Sequence, residues 1–175
     1  MIRYQLTQTE EELRQILALQ QRNLPKNLSE SEKKEHGFVT VKHSLTTLKK
    51  LHNIHPHCIA KYNDKVIGYA LSMDVSCKED IEVLKPMFNK IDAIYKDSYM
   101  VMGQVCIDKN FRRKGVFKKL YRSMKAHFSS KYNAIITEID TKNIPSIKAH
   151  QKIGFTELIR YDFDNKEWSI VILKY

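Results

Sequence analysis

The chain has 175 residues, 42% of them hydrophobic and 29% charged, with a formal net charge of +10. That length suits one domain, the apolar share excludes a disordered chain, and the charge points to an anionic partner, although the lysines are spread over most segments. Cys58, Cys77 and Cys106 are far apart and odd in number, which excludes a disulfide-stapled framework, and no apolar run reaches the ~20 residues of a membrane span.

The opening Met1-Ile2-Arg3-Tyr4-Gln5 runs into polar residues without the apolar stretch of a signal peptide, so a reducing, cytoplasmic setting is expected. Residues 4–6 read as a first strand. Thr9-Glu10-Glu11-Glu12 is a capping box, in which a hydroxyl and a carboxylate satisfy each other's backbone amides. Leu13, Ile16, Leu17 and Gln20 follow at helical spacing until Leu24-Pro25 ends the helix. Ser29-Glu30-Ser31-Glu32 is a second capping box, opening a short polar helix that stops at Gly37. Phe38-Val39-Thr40-Val41 is β-rich, and Leu45, Leu48 and Leu51 mark another short helix. His52-Asn53-Ile54-His55-Pro56-His57-Cys58 carries metal-ligand residue types, but no helical pair and a proline, so it reads as a polar loop with no metal expected.

Residues 58–62 and 66–73 predict a hairpin around Asn63-Asp64. Residues 79–95 read as a helical or irregular insertion broken by Pro86, and residues 99–107 as a long apolar strand. A helix is predicted from Gly115 to about residue 131, with Phe117, Leu120, Tyr121, Met124 and Phe128 on one face. Residues 135–140 read as a strand and residues 145–153 as a helix, with Pro145 in its first turn and Gly154 ending it. Residues 155–161 and 168–174 form a closing pair of strands around Asp164-Asn165. The order β-α-α-β-β-insertion-β-α-β-α-β-β predicts an α/β (α+β) fold: one mixed sheet of six to seven strands with helices on both faces.

The stretch Ile107-Asp108-Lys109-Asn110-Phe111-Arg112-Arg113-Lys114-Gly115-Val116-Phe117-Lys118-Lys119-Leu120 carries the strongest functional signal. It joins an apolar strand, a basic turn and an amphipathic helix. The first amides of a helix lack partners inside it and carry the positive end of its dipole, so a turn that aims them at one point binds phosphate or diphosphate. Gly115 lets the backbone come close, and Arg112, Arg113, Lys114, Lys118 and Lys119 bring positive charge.

With this element order, two motifs make the chain resemble the GNAT superfamily of acyl-CoA-dependent N-acyltransferases. Arg112-Arg113-Lys114-Gly115-Val116-Phe117 matches the first Arg and first Gly of that family's cofactor turn, and departs from it with Phe117 at the last small position. Asn143-Ile144-Pro145-Ser146-Ile147-Lys148-Ala149-His150-Gln151-Lys152-Ile153-Gly154-Phe155 looks like the family's Asn-x-x-Ala-x-x-x-Tyr-x-x-x-Gly-Phe, with His150 where Tyr is usual. The resemblance is good from Tyr99 to Phe155 and holds only in outline before that.

The resemblance implies a mostly antiparallel sheet with a splayed central parallel pair. It implies a single acyltransferase domain over 1–175, divided into an acceptor-side half (1–98), a cofactor-binding core (99–160) and a closing strand (161–175). It implies acetyl-CoA as cofactor, with its diphosphate on the amides of Arg113 to Lys118, its pantetheine arm along the backbone of Val105, Cys106 and Ile107, and Asn143 beside it. The reaction implied is direct acetyl transfer to a primary amine of a small molecule or peptide. His150 is the candidate acid for the leaving thiol and Glu138, on the neighbouring strand, the candidate base; Gln104 is a candidate to orient an amine or a water. Cys106 has no adjacent base, which argues against a covalent intermediate. Phe38, His43 and Tyr69 are expected to line the acceptor site. No nucleic acid is expected, because the aromatics fall at core spacing rather than among the basic residues, and no membrane partner; a homodimer stays open. A longer acyl-CoA donor and a non-catalytic acyl-CoA-binding sensor stand as alternatives.

Overall fold

The computed structural model describes residues 1–79 and 81–175. Among the described residues thirteen α-helices and β-strands follow one another: β1 (Arg3–Leu6), α1 (Glu10–Arg22), α2 (Glu30–His36), α3 (Leu45–Ile54), β2 (Cys58–Tyr62), β3 (Lys65–Met73), α4 (Lys85–Ile94), β4 (Tyr99–Ile107), α5 (Val116–Phe128), β5 (Ala134–Asp140), α6 (Ile144–Lys152), β6 (Thr156–Phe163) and β7 (Lys166–Lys174). The strands form one sheet in the order β1-β2-β3-β4-β5-β7-β6. All neighbours are antiparallel except β4 and β5. Among the described residues no helix is long and apolar enough to cross a membrane.

The local signals act as expected. Both capping boxes close, Thr9 with Glu12 and Ser29 with Glu32. Asn63-Asp64 and Asp164-Asn165 take left-handed backbone angles, as two-residue hairpin turns require of both central positions. Two apolar clusters lie on opposite faces of the sheet. One packs Leu13, Ile16, Leu48, Leu51 and Phe88 of α1, α3 and α4 against one face. The other packs Leu120, Tyr121, Met124 and Phe128 of α5, with Ile147 of α6, against the other. Each fully buried aliphatic or aromatic side chain here contributes about 1.5–3 kcal/mol.

Three expectations need correction. Residues 38–41 are extended but join no strand, because their backbone groups are claimed elsewhere. Val39 N–H donates to the Asn23 carbonyl (3.1 Å), and the carbonyls of Phe38 and Val41 accept from Asn143 Nδ2 (2.9 Å) and Gln104 Nε2 (2.7 Å). Pro86 does not break the insertion; it sits in the first turn of α4, where its missing amide hydrogen is harmless. The histidine-rich stretch is not a polar loop: its first residues end α3, and His57 is fully buried, its Nδ1 accepting from Ser72 N–H at 3.2 Å.

Two irregularities of β4 position the site. Its parallel pairing with β5 consists of Tyr99 with Ala134, Met100 with Ile135 and Val101 with Ile136, and stops there. Beyond that point the strands diverge, and the edge of β4 that faced β5 is free. On its other edge, Ala70 pairs with Val105 but Ser72 with Met102, so Gly103 and Gln104 stand opposite the single Leu71. Such a bulge bends the strand and re-aims its side chains.

Candidate functional site

The diverging strands leave a cleft of about 480 Å³. One wall is the free edge of β4 at Val105, Cys106 and Ile107; the far end is closed by Asn143 and α6, and segment 36–39 lies across it. The start of α5 forms its floor. Gly115 caps that helix with no side-chain hydrogen bond, and the first bond within the helix runs from Lys119 N–H to the Gly115 carbonyl (3.1 Å). The amides of Val116, Phe117 and Lys118 therefore have no helical partner and open at the positive end of the dipole. Gly115 itself has φ +77°. A Cβ built there meets nothing within 4 Å, so its backbone faces open space.

Of the residues expected to contact a cofactor, Val105, Cys106, Ile107, Arg112, Arg113, Gly115, Val116, Phe117, Lys118 and Asn143 all line this cleft. Lys114 does not; its ammonium stands 5.3 Å over the Phe111 ring. Nor is Arg112 the mobile charge its sequence suggests. Its Nε donates to the Ile107 carbonyl (3.2 Å) and its Nη2 to Asn23 Oδ1 (2.6 Å), so it ties the basic turn to the end of α1. Arg113 is in contact with Glu35 at 3.0 Å but is 78% exposed, which leaves it weakly held. Lys118 and Lys152 supply cations on the lining. The Asn143 side chain turns away from its own helix toward Phe38. Its Oδ1 is buried and unpaired among the described residues, and would lie 2.5 Å from any Cβ at Gly37, so only glycine fits there. A separate hollow of about 380 Å³ behind Arg112 carries both acids, Glu32 and Asp108, and bases, and lacks free helix amides.

A further small hollow of about 20 Å³ lies where β4 and β5 begin to diverge and shares no lining residue with the cleft. Both walls follow in sequence: Val101, Met102 and Gly103 precede the cleft residues of β4, and Thr40 and Val41 follow Phe38 and Val39. Thr137 and Glu138 of β5, Trp168 of β7, and Leu84 and Met87 from the insertion complete it. Among the described residues Glu138 is the only ionisable one on the lining. Burial pushes its carboxyl up to about 7, against the opposing hydrogen bond from Tyr161.

His150 lies elsewhere. It is 1% exposed and is not part of the cleft lining. Its Nδ1–H donates to the Ser146 carbonyl (2.8 Å), and its Nε2 accepts from Tyr121 Oη (2.7 Å). The Phe117 ring, which does line the cleft, packs edge-on against the imidazole with centroids 5.0 Å apart. Both nitrogens are therefore in use, and burial lowers its pKa to about 4, which keeps it neutral. Here the imidazole braces α6 against α5 rather than reaching a thiol.

Gln104, His43 and Tyr69 are also drawn away from the site. Tyr69 Oη (2.6 Å) and Gln20 Nε2 (2.8 Å) both donate to Gln104 Oε1, and Gln20 holds the backbone and ring of His43. This buried network fixes the bulge and occupies Gln104 Oε1 with two donors, while its Nε2 donates to the Val41 carbonyl. Burial raises the Cys106 thiol to about 12, which keeps it protonated and unsuited to nucleophilic attack. No sequence motif marks Gln20, Asn23 or Tyr161 as polar partners of these residues.

The buried histidines make the fold acid-sensitive. Burial lowers His43 and His150 to about 4 and His57 to about 3, whereas the unfolded chain protonates all three near 6.5. The stability they carry is intact above pH 6.5 and is lost as pH falls, about 2 kcal/mol each by pH 5. Glu138 runs the opposite way: its raised carboxyl takes a proton more readily in the folded state, regaining about 2 kcal/mol over the same range. The balance is a loss of about 4 kcal/mol between pH 7 and 5, a fall in Tm of roughly 10 °C. Thermal unfolding across that range checks it; a flat Tm would show that these rings are charged or solvated.

A family model, Acetyltransferase (GNAT) family, matches residues 13–155. No curated protein matches the chain in sequence. Among solved structures, the ribosomal-protein-S18-alanine N-acetyltransferase from Escherichia coli superposes with a TM-score of 0.66 at 14% identity, covering 99% of this chain and 94% of that one. An N-acetyltransferase from Staphylococcus aureus Mu50 gives 0.63 at 18% identity, with 99% and 98% covered. A chain of the NatC complex bound to Gag peptide and CoA gives 0.68 at 17% identity, again with 99% and 98% covered.

Proposed function

Since the chain belongs to the acetyltransferase (GNAT) family, we propose that it moves an acetyl group from acetyl-CoA to a primary amine of a small molecule or a peptide. The observation that carries this reading is the unpartnered start of α5 opening into a cleft along the free edge of β4. The amides of Val116 to Lys118 hold the diphosphate, with Arg113 and Lys118 adding charge. The β4 backbone at Val105 to Ile107 lays the arm of the cofactor toward the hollow, and Asn143 offers its unpaired Oδ1 to the same arm. When bound, acetyl-CoA supplies the activated acyl group.

Glu138 accepts the proton that the amine must lose before it attacks. A carboxyl raised to about 7 suits that task near neutral pH, as it is partly ionised yet basic enough to take a proton. The apolar walls of the hollow exclude water, and its small size favours a two-carbon acyl group over a longer one. The acid role that the motif register suggests for His150 passes to no other side chain; in this reading the thiolate leaves without a neighbouring acid.

That lack favours one alternative, an acyl-CoA-binding sensor without turnover. Calorimetric titration with coenzyme A, together with thiol release from acetyl-CoA over a panel of amines, separates the two. Binding with amine-dependent release is the expected result. Binding without release from any amine supports the sensor, and no binding at all overturns the cofactor assignment.

A further inference from the structure

Glu138 is held by one partner. Tyr161 Oη donates a hydrogen bond to its Oε2, and among the described residues its Oε1 has none. The tyrosine comes from β6, two strands away across β7. Glu138 lies opposite Ile170, and Tyr161 opposite Trp168, whose ring is one wall of the hollow. The tight turn at Asp164-Asn165 fixes that register, so a sheet edge remote from the cofactor cleft delivers its phenol to the carboxylate.

We propose that Tyr161 is a positioning residue for the proposed proton acceptor, holding one oxygen of Glu138 so that the other faces the reacting amine. This rests on the reading of Glu138 as that acceptor. A carboxylate in an apolar hollow with no anchor rotates freely and, when neutral, turns to whatever acceptor it finds; a phenol donor fixes its orientation and favours its charged form. Among the described residues no other titratable group lines the hollow. The remaining neighbours are Ile170 and Trp168 on β7, Val101 to Gly103 on β4, Thr40 and Val41 on the crossing segment, and Leu84 and Met87 from the insertion. Lys85, next to Leu84, is engaged by Glu79 and Glu82.

The test is a pH titration of the Glu138 carboxyl by ¹³C NMR in protein labelled at glutamate, with the resonance assigned by its loss in Glu138→Gln. It is run beside the pH profile of kcat/KM. In Tyr161→Phe the carboxyl is expected to titrate about one pH unit higher, because a hydrogen bond to its charged form is gone. The acidic limb of kcat/KM moves with it, so the rate at pH 7 falls roughly fivefold and the deficit shrinks as pH rises. A tyrosine of purely structural value would lower Tm and leave both curves in place. Should the phenylalanine variant fail to fold, 3,5-difluorotyrosine at position 161 keeps the shape while strengthening the donor, and both curves must then move to lower pH. Unmoved curves, with Glu138→Gln inactive, overturn the proposal alone. A Glu138→Gln enzyme with the wild-type rate and limb overturns the reading beneath it.

Discussion

Gly115→Glu is expected to abolish coenzyme A binding, with Kd raised at least 10²-fold, while α5 still forms. The substitution has two separable costs. A side chain at φ +77° is strained by about 1 kcal/mol, which lowers stability without touching the ligand. The larger cost is electrostatic. Position 115 faces open space at the mouth of the three free amides, so the carboxylate has room to occupy the place of the diphosphate or to stand beside it. Two like charges about 5 Å apart at an effective dielectric constant near 20 repel by about 3 kcal/mol, equivalent to more than a 10²-fold change in affinity. Gly115→Ala carries the strain without the charge, and its Kd should stay within about fivefold of wild type. Calorimetric titration of both variants decides between the two costs. If the glutamate variant binds coenzyme A as well as wild type, the diphosphate is not held at the start of α5.

Glu138→Gln should lower kcat by about 10²-fold and leave coenzyme A affinity unchanged. Glutamine is nearly isosteric, and its amide oxygen still accepts from Tyr161, so the hollow keeps its shape. Only the capacity to take a proton is lost. In wild type, activity should rise with pH through about 7 as the carboxyl ionises, because burial holds it far above the usual carboxylate range. The variant should lack that limb altogether. Turnover measured from pH 5.5 to 9 checks both statements, and a kcat within threefold of wild type would remove Glu138 from the chemistry. Such measurements need short exposures at the acid end, where the three buried histidines erode stability.

What was legible in the sequence was what neighbours in the chain decide. The capping boxes at Thr9 and Ser29 close over three residues, the hairpin turns at Asn63-Asp64 and Asp164-Asn165 over two, and the basic turn joins β4 directly to α5 in the chain. These signals placed the elements, and with them the cleft that all but one of the residues proposed to contact a cofactor line. Lys114, outside that lining, is an exposed side chain that lies back over Phe111. The backbone site depends on chain direction and on the start of a helix, both of which are written locally.

The side-chain chemistry was decided by residues far apart. Motif register put His150 at a catalytic position, but Tyr121 and Ser146 take both of its nitrogens once α5 and α6 pack together. Gln104 looked free beside the bulge, yet Gln20, 84 residues earlier in the chain, claims its oxygen. Residues 38–41 had the composition of a strand and became a crossing segment, because Asn143, 105 residues later, binds the Phe38 carbonyl. The sequence places Glu138 on the strand beside β4; only the closing of β7 and β6 around it removes water and brings in Tyr161. A sequence sets hydrogen-bonding patterns within a few residues, and so determined the fold and the helix start on which the proposed anion site rests. Which buried polar group meets which partner depends on packing between distant segments, where each unsatisfied donor or acceptor costs about 1–3 kcal/mol, and that competition was settled only in the tertiary structure.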